Sequence, residues 1–151
     1  METHRSEIPV APDRFEVTAD DAVLVAELSS ALAVCMYDAV EEAGALLHLR
    51  FIVRENKPAD VTDTTLATEL LLLDRCIEQL REAAPGARNL QAKIAAHLPE
   101  GEEARRACDT VLTLVKHVLA DAGMRVGTPD LLSGPPRSLR FRPCTGWLRL
   151  T

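Results

Sequence analysis

The sequence predicts an α+β fold, because the spacing of its apolar residues changes along the chain. Strand-like apolar runs fill the first third, stretches with helical spacing follow, and short strand-like segments close the chain. Strands and helices do not alternate regularly, which favours a mixed or largely antiparallel sheet over a doubly wound parallel one. We expect a single domain over residues 21–151, preceded by an arm over residues 1–20 that can dock a short strand and has a mobile tip.

Two apolar runs, residues 22–28 and 31–37, predict the first pair of strands. Only Ser29 and Ser30 separate the runs. Such a short connection indicates a tight reversal or a bulge between the two strands.

A third strand is predicted over residues 45–53, where side chains alternate between two faces. One of these faces carries both polar side chains of the segment, His48 and Arg50. The preceding turn contains Gly44, which we expect to supply a positive φ.

Two amphipathic helices are predicted between the strands. Thr62 or Asp63 can cap the first helix, in which apolar residues recur every three or four positions as far as Ala84. Gly123 ends the second. A strand and a hairpin around residues 144–146 are predicted to follow.

The composition excludes several functional classes. A net charge of −6 argues against nucleic-acid binding, which needs a positive surface that displaces counterions. No apolar run approaches the roughly 18 residues of a membrane span, so we expect no membrane insertion, and the N-terminal residues lack the apolar segment of an export signal. A local excess of arginine over residues 137–149 suits either an acidic partner or a solvated strand face.

The four cysteines do not form a recognisable framework. They are widely spaced without a C-x-x-C pair, which fits neither a disulfide scaffold nor a zinc knuckle and indicates a reducing cytoplasm. A metal site built from His48, His97, His117 and cysteines is not supported either, since no spacing places two of these ligands on one face. We therefore expect no metal and no cofactor.

Several short motifs occur in an order that matches one known family. Its core motif L-G-S-C-V-A-V-C-x-Y-D is matched in register at Leu28, Ser30, Ala33, Val34, Cys35, Tyr37 and Asp38. Further matches are Gly44 and His48, Asp63 and Thr64, Gly86, Ala87, Leu90, Ala92, Lys93 and Ile94, and Arg137, Phe141, Thr145 and Gly146. Over about residues 23–150 the sequence resembles the chemoreceptor glutamine deamidase CheD family.

This resemblance implies a three-layer α/β/β sandwich and a cytoplasmic cysteine hydrolase that converts glutamine side chains of chemoreceptors to glutamate. Implied partners are the chemoreceptor cytoplasmic domain and a CheC-type chemotaxis phosphatase. The implied chemistry is that of a cysteine amidase, in which a thiolate attacks the carboxamide and a histidine serves as base.

At the catalytic positions the sequence departs from the family. In register, the nucleophile of the family falls on Ala31, and its threonine, six residues earlier, falls on Val25. Only the histidine is retained, as His48, which is either a residual pocket residue or an ordinary strand-face histidine. We therefore expect a CheD-like protein that is catalytically inactive and acts by protein binding.

One alternative is an active amidohydrolase with a non-standard nucleophile. Ser30 adjoins the Ala31 position and is also a candidate substrate contact, whereas we expect Cys35 to pack in the core. The glycine pair of the family after A-K-I is replaced by Ala96 and His97. Because several motif positions differ together, natural divergence explains Ala31 better than a single engineered substitution.

Overall fold

A computed structural model of the protein describes residues 6–51 and 64–151. Over these residues the chain forms ten strands and two helices. In chain order they are β1 (Ser6–Pro9), β2 (Arg14–Thr18), β3 (Ala22–Leu28), β4 (Ala31–Asp38), β5 (Ala43–Arg50), α1 (Thr64–Ala83), β6 (Gln91–His97), α2 (Glu102–Asp121), β7 (Arg125–Val126), β8 (Asp130–Leu132), β9 (Arg137–Arg142) and β10 (Trp147–Leu150).

The described strands form two mixed sheets. The smaller has the order β1-β3-β9-β10, in which β1 runs parallel to β3 and the other neighbours are antiparallel. The larger has the order β2-β5-β4-β6-β7, with β8 also paired to β6. Its β7 and β8 are parallel to β6, while the remaining pairs are antiparallel.

Alternation along β4 divides the core into two layers. Leu32, Val34 and Met36 pack against α1 and α2, whereas the intervening residues, among them Ala31 and Ala33, face the smaller sheet. All eight residues of β4 are buried, which suits a central strand covered on both faces. The predicted α+β class and three-layer sandwich are confirmed.

Both helices end close to the predicted positions. The helix α1 stops at Ala83, and α2 stops at Asp121 before the left-handed Gly123, whose φ is 84°. The predicted caps Thr62 and Asp63 lie outside the described residues. Neither described helix combines the length and the apolar content needed to cross a membrane.

The segment preceding β3 contributes a strand to each sheet. The strand β1 extends the smaller sheet beside β3, and β2 lies at the edge of the larger sheet beside β5. The division into an arm over residues 1–20 and a domain over residues 21–151 stays a prediction, and the described part of that arm is built into both layers.

The expected positive φ at Gly44 is wrong. The left-handed residue of this turn is Glu42, with φ 54°, while Gly44 lies within β5. Glycine is required there by a close approach, since a Cβ atom at Gly44 would lie 2.7 Å from Cβ of Pro143 and overlap the carbonyl of Met36.

The chain passes between the two sheets three times at one end of the sandwich. The crossing segments are residues 10–13, from β1 to β2, residues 29–30, from β3 to β4, and residues 133–136, from β8 to β9. Residues 29–30 are therefore neither a reversal within one sheet nor a bulge. Since β4 begins at Ala31, this end of the molecule is where the predicted site residues lie.

Candidate functional site

Ala31 lies at the start of β4, between Arg50 on β5 and His97 on β6. Its side chain is 1% exposed and faces the space between the two sheets. His97 opposes Ala31 directly, so its side chain lies on the same face. The predicted nucleophile position is thus a buried methyl group beside an imidazole.

His48 lies on the same face, opposite Ala33 and diagonal to Ala31. Diagonal neighbours in such a pair are about 7–8 Å apart, within reach of a long side chain. The ring is 1% exposed, and its Nδ1 lies 2.9 Å from the carbonyl oxygen of Val10. The structure therefore brings His48 to the Ala31 end of the sandwich.

The hydrogen bond to Val10 fixes the tautomer of the neutral His48 ring. A carbonyl oxygen can only accept, so Nδ1 carries the hydrogen and Nε2 presents a lone pair. This Nε2 is buried and has no hydrogen-bond partner among the described residues. In the neutral ring, Nε2 is thus the nitrogen that can accept a proton.

Val25 does not join His48 through its side chain. It is half-buried and belongs to the outer face of the smaller sheet, because its neighbours Leu24 and Ala26 are the residues of β3 that face inward. The link to the imidazole runs through backbone atoms instead. Val10 donates its N–H to the Val25 carbonyl at 2.8 Å and accepts the His48 hydrogen with its own carbonyl.

Ser30 adopts a left-handed conformation, with φ 46°, that is uncommon outside glycine. Its N–H donates to Nδ1 of His97 at 2.8 Å, and its carbonyl accepts from the N–H of Phe51 at 2.8 Å. Over the described ranges no hydrogen bond joins the Ser30 hydroxyl to His48. The contacts of Ser30 at this end are therefore made by its backbone.

Cys35, on the same face of β4, is fully buried. Burial raises the pKa of its thiol far above the ordinary value, and the positive charge of Lys93 offsets only a small part of that change. The thiol stays protonated at neutral pH, whereas the nucleophilic form of cysteine is the thiolate. Cys35 is thus a core residue and not a replacement nucleophile.

Two further side chains at this end were not predicted as site residues. His97 bonds to Ser30 and, through Nε2, to the carbonyl of Gly134 at 2.9 Å. Arg137 starts β9 on the inward face it shares with Leu139, and its Nε is buried without a hydrogen-bond partner in the described chain. The alternation of residues 91–97 was the signal that could have assigned His97 to the face of Ala31.

The remaining predicted features lie elsewhere. His117 is exposed on α2, where it lies 3.3 Å from the carboxylate of Asp121. Among the residues that the structure describes, no three His, Cys, Asp or Glu side chains are grouped to hold a metal ion. In the arginine-rich stretch, Arg140 pairs with Glu7 and Arg142 with Asp21, so much of its charge is balanced within the chain.

Curated proteins of several Burkholderia species are similar to nearly the whole chain. "Probable chemoreceptor glutamine deamidase CheD 1" of Burkholderia thailandensis is 26% identical over 145 residues, which cover 95% of this chain and 62% of the relative. Relatives named "Probable chemoreceptor glutamine deamidase CheD" from Burkholderia mallei and Burkholderia pseudomallei show the same identity and coverage. The chain therefore spans less than two thirds of the length of these relatives.

No family model matches the chain. The similarity to these relatives nevertheless covers 95% of the chain, and the core motif falls on β4 and the connection before it. Together the motifs, the three-layer fold and the aligned relatives support this chain as a divergent member of the CheD family.

Proposed function

We propose that this protein is a catalytically inactive CheD-like chemotaxis protein that acts in the cytoplasm by binding a protein partner. The observation that carries the proposal is the methyl group of Ala31 at the position where the family resemblance places a nucleophile, on the same face of the larger sheet as His48. A base is thus present without a group for it to activate.

Hydrolysis of a glutamine side chain requires an atom that attacks the carboxamide carbon. His48 can accept a proton, but the methyl group of Ala31 has no proton to give up and no atom that can attack. Ala31 therefore cannot form a thioester. Removal of the nucleophile from a serine protease lowers turnover on the order of 10⁶-fold. We expect a comparable loss here, which leaves binding as the remaining property of the scaffold.

The proposed partner is the cytoplasmic domain of a chemoreceptor, since the relatives are named for chemoreceptor glutamine deamidation. A CheC-type phosphatase is the second proposed partner and rests on the family resemblance alone. Both are proteins, in agreement with the acidic net charge of −6, which disfavours nucleic acid.

The test combines a deamidation assay with a binding assay on the same receptor fragments. We expect no glutamine-to-glutamate conversion by mass spectrometry, and saturable binding of receptor fragment or phosphatase by calorimetry. A full-length Burkholderia relative serves as the positive control for conversion. Conversion at a catalytic rate by this chain refutes inactivity, and absence of binding to both proteins refutes the proposed role.

A second candidate function is amide hydrolysis with a non-standard nucleophile, and the basic Nε2 of His48 is the observation that favours it. Covalent labelling with a glutamine-mimicking electrophile separates the two candidates. Labelling that is lost in Ser30→Ala and kept in Cys35→Ala supports the active enzyme. Absence of labelling in the unmodified chain supports the inactive one.

A further inference from the structure

His97 joins two of the three crossing segments that surround Ala31. Its Nδ1 lies 2.8 Å from the backbone nitrogen of Ser30 in residues 29–30, and its Nε2 lies 2.9 Å from the carbonyl oxygen of Gly134 in residues 133–136. The ring is 6% exposed. One side chain at the end of β6 therefore spans from the β3–β4 connection to the β8–β9 connection.

The two contacts specify one chemical form of the ring. A backbone N–H only donates, so Nδ1 must accept, and a carbonyl only accepts, so Nε2 must carry the hydrogen. The neutral ring with its hydrogen on Nε2 meets both requirements. His97 has both nitrogens satisfied, in contrast to His48, whose Nε2 lacks a partner in the described chain.

The conformation of Ser30 gives a second reason to assign His97 a positioning role. A left-handed conformation is unfavourable for a non-glycine residue and persists where surrounding contacts enforce it. Here the Ser30 N–H is held by His97 and its carbonyl by Phe51. The backbone of the turn is thus fixed from both sides.

We propose that His97 is a positioning residue that locks the connection between β3 and β4, so that the Ser30 N–H is directed at the imidazole and not at the space beside Ala31. A backbone amide can stabilise a negatively charged oxygen only when it is free to point at that oxygen. The lock makes the amide preceding Ala31 unavailable to a bound group. The interpretation that this lock closes a former substrate site rests on the proposed function. The hydrogen-bonded lock itself does not depend on that function.

The experiment measures the Ser30 amide by NMR in the full chain. An N–H···N hydrogen bond transmits a scalar coupling, so we expect one between the Ser30 amide nitrogen and Nδ1 of His97. We also expect His97→Ala to speed hydrogen exchange at Ser30 about tenfold, the effect of one lost hydrogen bond. His97→Asn, whose side-chain oxygen can accept in place of Nδ1, should retain slow exchange.

The control is His117→Ala, which removes an exposed histidine on α2 and should leave exchange at Ser30 unchanged. A missing coupling in the unmodified protein, or equal Ser30 exchange in His97→Ala, overturns the lock. The coupling decides the question even if His97→Ala fails to fold. Deamidation by the unmodified chain would instead refute the proposed function and leave the lock in place.

Discussion

Asp38, at the end of β4, accepts hydrogen bonds from four backbone amides. Its Oδ1 accepts from Val40 at 2.9 Å and Glu41 at 3.2 Å, and its Oδ2 accepts from Arg88 and Asn89, each at 3.1 Å. The residue is 1% exposed. One carboxylate therefore connects the β4–β5 turn to the segment that follows α1.

We predict that Asp38→Asn lowers the free energy of unfolding by about 2–3 kcal/mol, because an amide nitrogen would face backbone donors in place of a charged acceptor. Burial alone would raise the pKa of Asp38, but the four amide donors lower it more, so it lies below the ordinary value of 3.8. This stabilisation is complete above the unfolded-state pKa and is lost as the pH falls through the folded-state pKa.

Urea unfolding at neutral pH and at a series of acidic pH values checks this prediction. The loss of stability below about pH 4 should be smaller in Asp38→Asn than in the unmodified protein. An unchanged acid dependence in the variant would contradict the assignment of this stabilisation to Asp38.

The sequence predicted some site residues better than others. Alternation over residues 45–53 assigned His48 to one face of its strand, and the structure keeps that face inward. The bonds of His97 could not be predicted, because Gly134 is 37 positions away and meets it only when β8 pairs with β6. Val25 takes the position of the family threonine in register, yet its side chain points outward because Leu24 and Ala26 on either side of it face inward.

At the scale of elements, the β9–β10 hairpin depends on Gly146. This residue has φ 79°, and a Cβ atom there would overlap the ring of Tyr37, with its Cδ2 only 2.8 Å away. Gly123, after α2, has a similar φ of 84° but no heavy atom within 4 Å of a Cβ. The two glycines share a backbone conformation and differ in the space around them.

We predict that Gly146→Ala destabilises the protein by about 3 kcal/mol or more, against about 1 kcal/mol for Gly123→Ala. The smaller value is the cost of a side chain in the left-handed region, and the difference is the cost of displacing Tyr37. Chemical unfolding of both variants measures the comparison. Equal losses would show that Tyr37 moves aside freely.

Elements with long apolar patterns were predicted closely. The runs over residues 22–28 and 31–37 correspond to β3 and β4, and the helical spacing corresponds to α1 and α2. The strands β1, β2, β7 and β8 have two to five residues each, too few to establish a period. Membership of a sheet depends on pairing between distant segments, which local patterns do not contain.

For the whole molecule, burial of the thiols predicts how the cysteines react. Cys35, Cys76 and Cys108 are fully buried, and burial raises the pKa of both Cys76 and Cys108 to about 12, with nearby carboxylates adding to the effect at Cys108. Cys144 is half-buried, and burial followed by its bond to Asp21 raises its pKa as well. The native protein thus has no readily formed thiolate.

We predict that an aromatic disulfide reagent labels only Cys144 in the native protein, more slowly than a free thiol, and labels all four cysteines in urea. Cys144→Ser should abolish native labelling. Rapid labelling of Cys35 in the native protein would show that a reactive thiol faces the space between the sheets. That result would contradict catalytic inactivity.

The three crossings at the Ala31 end have a mechanical consequence. Connections of two to four residues hold layers that are about 10 Å apart, so the layers cannot separate at that end without breaking strand pairs. Residues 19–21, from β2 to β3, make a fourth crossing at the opposite end of β4, so short connections hold the two sheets together at both ends. A partner that approaches Ala31 consequently meets a stiff exterior, whose shape is already set before contact.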